Sequence, residues 1–564
     1  MSARKHENPT VERIAAPAPA DGGAAEAMPA KIRKRTGGVV AFDPAKIRSA
    51  IARANRAVGD ETMSGAALDK LTAEVSRLVA GIGVPTVEQV QDAVEERLIS
   101  HDFAKTAKAY ILYRAEHAKI RQAAGDLMDI YHQLTFRDAK DVDLKRENAN
   151  IDADTAMGTM LKYGSEGSKY FINNYILPKD IASAHISGDI HIHDEDFYML
   201  TETCCQIDLL KLFHGGFCTG HGTLREPQDI SSYAALACIA IQANQNEMHG
   251  GQSIPTFDYS MAPGVAKTFC RNYFKELSKY VRISHGMTVS DADALTEAVK
   301  KGVGAEIAFG SAADYGKKLA AFLPEHQRRG GYEAISPEEA GKAHAFAVDS
   351  ATAITDRTTF QAMEALVHNL NTMNSRAGAQ VPFSSLNYGT DTSPEGRMVM
   401  RNLLLATEAG LGQGETPIFP VQIFKVKEGV NYNPGDPNYD LFQLAIRVSA
   451  KRLFPNFSFI DAPFNLQYYK PGDYNSEVAY MGCRTRVMGN VHDRSREVTC
   501  GRGNLSFTSI NLPRLGIEAR GDIGKFYRML DDRIDLVFRQ LLHRFQIQCK
   551  KKVYNYPFLM GQGV

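Results

Sequence analysis

The sequence predicts an α/β protein: a small α+β module near the N-terminus, then a large body in which helices alternate with short buried strands. Three observations carry that expectation. Residues 31 to 42 read as a short hairpin leading into capped, amphipathic helices. Farther along, long helical patterns at 264 to 282 and 396 to 411 are separated by short apolar stretches. Two such stretches, Ile418 to Phe424 and Phe457 to Ile460, look like buried strands that follow helices, the order of a parallel sheet or barrel.

Residues 8 to 30 are rich in Ala, Pro and Gly and hold too little apolar surface to offset their ordering entropy, so residues 1 to 30 are expected to be a flexible tail. The hairpin follows, with a basic strand through Lys34 and Arg35, a turn at Gly37 and Gly38, and an apolar strand ending at Phe42. Asp43-Pro44 supplies an N-cap and a first-turn proline for a helix with Ile47, Ala50, Ile51 and Ala54 on one face. Thr86-Val-Glu-Gln89 is a capping box, and the helix it opens carries Val90, Val94 and Leu98. A third helix runs from Ala104 to Ile120 with Tyr110, Ile111 and Tyr113. This first module spans residues 31 to 122, and the larger α/β body spans 123 to 564.

Composition excludes several classes. The 564 residues carry 65 basic and 65 acidic side chains, so no global charge directs the chain to nucleic acid or an anionic membrane. No apolar stretch approaches a membrane span, and Arg4, Lys5 and Glu7 precede no secretory apolar core. The eight cysteines include no Cys-x-x-Cys pair, which leaves structural zinc and a disulfide framework unsupported. The expectation is a cytoplasmic, reduced protein that binds neither nucleic acid nor membrane.

Four constellations could carry chemistry. Lys34 and Arg35, with Lys46 one turn into the next helix, gather cations near a helix start, suited to a polyphosphate or simply to a solvated basic strand. Asp189-Ile-His-Ile-His-Asp194 places His191 and His193 on one face of a strand, a metal site or a strand end bonded to backbone; the absence of a third ligand at suggestive spacing favours the second. Vicinal Cys204 and Cys205 point apart in any regular backbone; packing, metal ligation, a redox pair or one reactive sulfur are all open to them. Tyr480-Met-Gly-Cys-Arg-Thr-Arg486 sets Cys483 between glycine and arginines that would lower its pKa, and Gly501-Arg-Gly-Asn504 leads to Asn511-Leu-Pro513.

Together these segments resemble two families. The module from Lys31, closing on Lys108-Ala-Tyr-Ile-Leu-Tyr-Arg114, resembles the ATP-cone, which implies an allosteric site for ATP and dATP built on Lys34, Arg35 and Lys46. The remainder resembles the anaerobic (class III) ribonucleoside-triphosphate reductases, which implies a ten-stranded α/β barrel of the glycyl-radical enzyme type. In that family's pattern Cys204, ahead of Ile207-Asp208-Leu209, takes the place of the cysteine that becomes a thiyl radical. Cys483 and Met481 match the second cysteine and its methionine, Asn504 matches an active-site amide, and Cys205 is left as a packed neighbour. Asn244 to Gly251 and Asn374 to Gly378 look like family segments near the substrate. Thr203 departs from the members that carry Asn at that position.

The resemblance also implies substrates and partners: ribonucleoside triphosphates, dNTP effectors, a radical-SAM activating enzyme, a homodimer or larger assembly, and formate as reductant. The family's glycyl-radical loop and four-cysteine zinc site have no match before Val564, so the expectation is that the glycyl radical, and any zinc, lie outside this chain. Two other readings stay open: another glycyl-radical enzyme of the pyruvate formate-lyase kind, and a catalytically silent nucleotide-binding protein. The cone-like module argues against the first.

Overall fold

A computed structural model describes residues 28–34, 38–59, 61–136, 155–327, 335–376, 380–482, 485–487, 490, 493, 495 and 498–564, with the side chains of 116–126, 136 and 327 also left out. Arg35, Cys483, Gly378 and residues 1 to 27 of the expected tail lie outside the described residues. The chain divides into two compact units, Met1–Asp129 and Ile130–Val564.

In the first unit, β1 (Lys31–Arg33) and β2 (Val39–Ala41) pair antiparallel with Ile32 opposite Val40. Helix α1 (Pro44–Val58) starts where Asp43 accepts the Ala45 N–H, and it buries Ile47 and Ile51 as the spacing requires. The Thr86–Gln89 capping box forms in full at the start of α3 (Val87–Ser100), which buries Val90, Val94 and Leu98. Between them lies α2 (Gly65–Ala80), a helix not anticipated from the sequence, capped by Ser64 and burying Leu71, Val75 and Val79. Helix α4 runs from Ala104 to Phe136, longer than expected. Its core-facing residues are Ala107 and Tyr110, whereas Ile111 and Tyr113 are exposed. A period of 3.6 residues cannot turn 110, 111 and 113 to the same side, and Tyr110 alone of the three reaches the core.

The second unit is built on a sheet of β4 (Cys204–Gln206), β5 (Gln252–Ile254), β6 (Ser384–Tyr388), β7 (Val421–Val426), β8 (Asn456–Phe459) and β11 (Arg502–Asn504). Strands β4 to β8 are parallel in spatial order, and β11 pairs antiparallel with the outer edge of β4. Each parallel neighbour requires a crossover, and long helices supply several of them: α5 (Ile230–Gln245), α6 (Phe257–His285), α7 (Pro337–Thr372), α8 (Pro394–Ala409) and α9 (Tyr439–Arg452). The α/β class is as expected; among the described residues the sheet holds six strands, not ten. The expected strand at His191 is present as β3 (Ile190–Ile192), paired with β12 (Thr508–Ile510) away from this sheet.

Alternation sorts the sheet into two faces. Ile254, Leu386, Tyr388, Phe424 and Val426 join helix residues such as Met261, Leu366, Leu403 and Ala445 in the main core. The opposite face carries Ser253, Ser385, Asn387 and Lys425, all buried although polar. A polar strand face removed from water needs partners. Among the described residues no helix is long and apolar enough to cross a membrane.

Candidate active site

Strand β4 answers the question posed by the paired cysteines. Successive side chains leave a strand on opposite faces, so the two sulfurs part. Cys205 enters the main core, where its Sγ accepts the Asn244 Nδ2–H at 2.9 Å and burial pushes its thiol far above the usual range. Cys204 turns to the polar face and packs with Met481 and Val487. Its Sγ receives the Gly251 N–H at 3.3 Å.

Three chain segments converge on Cys204. The first is the antiparallel pair β9 (Ala479–Met481) and β10 (Thr485–Val487); Cys483 and Arg484, which separate them in the sequence, lie outside the described residues. The second is β11, where Asn504 is the register partner of Cys204 and its carbonyl accepts the Thr203 N–H at 2.9 Å. The third is the Gly250-Gly251 turn. A side chain at Gly250, whose φ is +80°, would stand 1.9 Å from the Thr203 carbonyl oxygen and 3.0 Å from Cys204 Sγ. One at Gly251 would stand 2.3 Å from Gly482 Cα. Glycine is required at both positions because backbone passes directly over backbone there.

Two surrounding groups, Gln206 and Glu202, carried no sequence signal. Gln206, two residues beyond Cys204 on the same strand, is fully buried, and neither of its amide atoms has a hydrogen-bond partner among the described residues. That donor and acceptor beside the sulfur suit a hydroxyl-rich ligand. Glu202 is half-buried, and desolvation pushes its carboxyl up to about 7. It lines a cavity of about 280 Å³ with Leu505, Phe545, Cys549, Lys551 and Tyr556. His249 Nδ1 lies 2.8 Å from Asp194 Oδ1 and its backbone N–H is donated to Glu202, which fixes the start of the glycine turn. Burial works to raise the Asp194 carboxyl, and the bond to His249 overrides it, so the group titrates below its ordinary range.

His191 is exposed between buried Ile190 and Ile192, and His193 Nε2 is 2.8 Å from Ser509 Oγ across the pairing strand. Among the described residues no three His, Cys, Asp or Glu side chains are grouped to hold a metal. In the first unit, Lys34 closes the hairpin by donating its N–H to Gly38 at 2.8 Å, and the side chains of Lys34 and Lys46 are exposed. A cavity of about 430 Å³ in that unit is lined instead by Ile99, Asp102, Ala107, Lys108, Ile111 and Leu112, among others.

Residues 30–119 match the ATP cone domain, and residues 147–564 match the family described as anaerobic ribonucleoside-triphosphate reductase. Among curated proteins, the anaerobic ribonucleoside-triphosphate reductase of Escherichia coli is 27% identical over 539 residues, covering 95% of this chain and 65% of the relative. The phage T4 enzyme of the same name is 27% identical over 428 residues, 75% of this chain and 59% of its own. A crystal structure of the anaerobic ribonucleotide reductase from Thermotoga maritima in complex with dATP and CTP superposes with a TM-score of 0.45 at 15% identity, over 79% of this chain and 64% of that one. The chain thus spans about two thirds of the length of the Escherichia coli relative. With three quarters of its length matched from residue 147 to residue 564, the chain belongs to the anaerobic ribonucleoside-triphosphate reductase family.

Proposed function

We propose that this chain carries the substrate-side machinery for anaerobic reduction of ribonucleoside triphosphates to deoxyribonucleoside triphosphates, with Cys204 as the reacting sulfur. The observation that supports this reading is the position of Cys204: buried on the polar face, opposite Asn504, against Met481, with Cys205 turned into the core. A glycyl radical would provide the one-electron oxidation, and formate the reducing equivalents. The chain's own residues do the rest. Cys204 Sγ accepts the ribose C3′ hydrogen atom as an S–H bond forms, and the 2′-hydroxyl leaves as water with a proton donated from Cys483 or a group beside it. The apolar contacts of Met481 and Val487 keep bulk water from the sulfur. Gln206 offers an amide to substrate hydroxyls, and Asn504 a second from the neighbouring strand.

ATP and dATP act as opposing effectors at the cone module through Lys34, Arg35 and Lys46, and other dNTPs tune substrate choice. The working assembly is a cytoplasmic homodimer or larger oligomer that meets a radical-SAM activating enzyme. The test is anaerobic reconstitution with a polypeptide bearing the glycyl-radical region, its activase, formate and a ribonucleoside triphosphate. Deoxynucleotide formation is expected in the mixture with Cys204 intact and not with Cys204→Ser. Formation by the Cys204→Ser chain, or turnover with thioredoxin in formate-free buffer, overturns the assignment.

A further inference from the structure

The β9–β10 hairpin that delivers Met481 to Cys204 has three residues in each arm, too short to hold a fixed position by its own ladder. Its approach is instead pinned to the sheet at one strand after another. On β7, Lys425 Nζ lies 3.0 Å from Glu477 Oε2 with side-chain exposures of 1% and 5%. Thr390 Oγ donates to the same oxygen at 2.8 Å. On β6, the Asn387 side chain pairs with the Tyr480 backbone as a neighbouring strand would: Nδ2 donates to the carbonyl at 2.8 Å and Oδ1 accepts the N–H at 2.8 Å. On β5, Ser253 Oγ donates to that carbonyl at 2.7 Å and itself accepts from Asn387 at 2.9 Å. On β4, Met481 meets Cys204, and Gly482 lies against Gly251.

We infer that Asn387, Ser253 and the Lys425–Glu477 pair are positioning residues, which fix the Glu477–Gly482 segment across the sheet and so set the distance from Met481 to the Cys204 sulfur. None of these polar side chains is needed for the parallel ladders, which backbone groups complete. Each sits where an aliphatic side chain would otherwise fill the interior. What they share is one target, the stem of a single hairpin, and their hydrogen bonds use both lone pairs of the Tyr480 carbonyl and its N–H. A network satisfied in this way holds one geometry and penalises departures from it. The catalytic meaning of that geometry rests on the reading of Cys204 given above; the anchoring itself does not.

The test uses the full chain with Asn387→Ala, Ser253→Ala, and the double replacement Lys425→Met/Glu477→Leu, which removes both buried charges together so that neither is stranded. In a Met481→Cys background, diamide-driven disulfide formation with Cys204 reports the approach of the hairpin without any turnover. Asn387→Ala is expected to slow trapping about tenfold and to raise amide exchange in 477–482 beyond the uniform rise that its overall loss of stability brings elsewhere. In the reconstituted system it is expected to lower kcat by about a hundredfold with KM little changed, as misplacement of a reacting group does. Ser253→Ala, which removes a single donor, gives the same changes in smaller measure and serves if Asn387→Ala fails to fold. Unchanged trapping and exchange in folded variants overturn the inference. A loosened hairpin in a system whose wild type makes no deoxynucleotide supports the anchoring and sinks the functional reading instead.

Discussion

Asn504 is the direct cross-strand partner of Cys204, held there by a backbone bond from Thr203 to the Asn504 carbonyl at 2.9 Å. Directly opposed residues in an antiparallel pair present their side chains on one face a few ångströms apart. The ladder depends on the backbone of Asn504, so its side chain can be removed without unpairing β11. Asn504→Ala is therefore expected to melt within a degree or two of wild type, while kcat in the reconstituted system falls by about a hundredfold, the usual cost of losing one preorganised donor. Calorimetric melting together with initial rates checks both halves.

The two cysteines should separate cleanly. Cys204→Ser keeps the shape of the polar face and is expected to abolish deoxynucleotide formation, because an alcohol O–H is a far stronger bond than a thiol S–H. Cys205→Ser retains an acceptor for Asn244 and should turn over. Cys205→Ala leaves the Asn244 Nδ2 donating to Gln252 Oε1 and Met248 Sδ and opens a sulfur-sized void in the main core, so it should cost about 1 kcal/mol in urea unfolding. Loss of turnover through Cys205 and not Cys204 would show that the wrong sulfur carries the chemistry.

Local rules read part of this fold and stopped where contacts became non-local. The Asp43 cap and the Thr86–Gln89 box lie within a few residues of the helices they start, so their signals are complete in short windows. Helix α2 also carried a signal, Leu71, Val75 and Val79 at four-residue spacing, but its Gly65-Ala66-Ala67 opening reads as a loop. Cys204, Met481 and Asn504 come from three distant segments, and only family resemblance linked them before the structure brought them together. Asn387 had no signal at all. Its partner is the backbone of Tyr480, which no residue type encodes.

Gly250→Ala tests how tightly the turn is held over the sulfur. Gly286 has a positive φ of +61° with nothing within 4 Å of where a Cβ would stand, so Gly286→Ala meets backbone strain alone and should cost about 1–2 kcal/mol. Gly250 adds a collision at 1.9 Å with the Thr203 oxygen, and Gly250→Ala should cost about 3 kcal/mol or more. Equal unfolding free energies for the two variants would mean that the turn moves aside freely.

The cone module makes a separate prediction. Calorimetry on the full chain should show ATP and dATP competing for one site. Lys34→Ala/Arg35→Ala should weaken both by about tenfold or more, since charge-assisted bonds to phosphate carry such sites. An effector changes activity or assembly only through unequal affinity for two states, so the two nucleotides should also differ in the oligomer they favour by light scattering. Unchanged affinity in the double variant would remove the basic hairpin from the site.

Glu202 gives a pH signature that needs no partner protein. Desolvation alone raises its carboxyl from an ordinary 4.5 to about 7 in the folded chain. Between those two values the folded state binds more protons than the unfolded state, so stability falls as pH rises through that window. The contribution is fully present below about 4.5, where both states are protonated, and is lost above about 7, where the buried group must ionise. Glu202→Gln, neutral at every pH, should therefore match wild type near pH 4.5 and exceed it at pH 8 by up to about 3 kcal/mol, the full value of the shift. Urea unfolding of both proteins across that range measures the difference. A constant gap between the two curves would mean that the carboxylate stays ionised throughout and that the cavity it lines is wetter than the lining of Leu505, Phe545, Tyr556 and Leu559 implies.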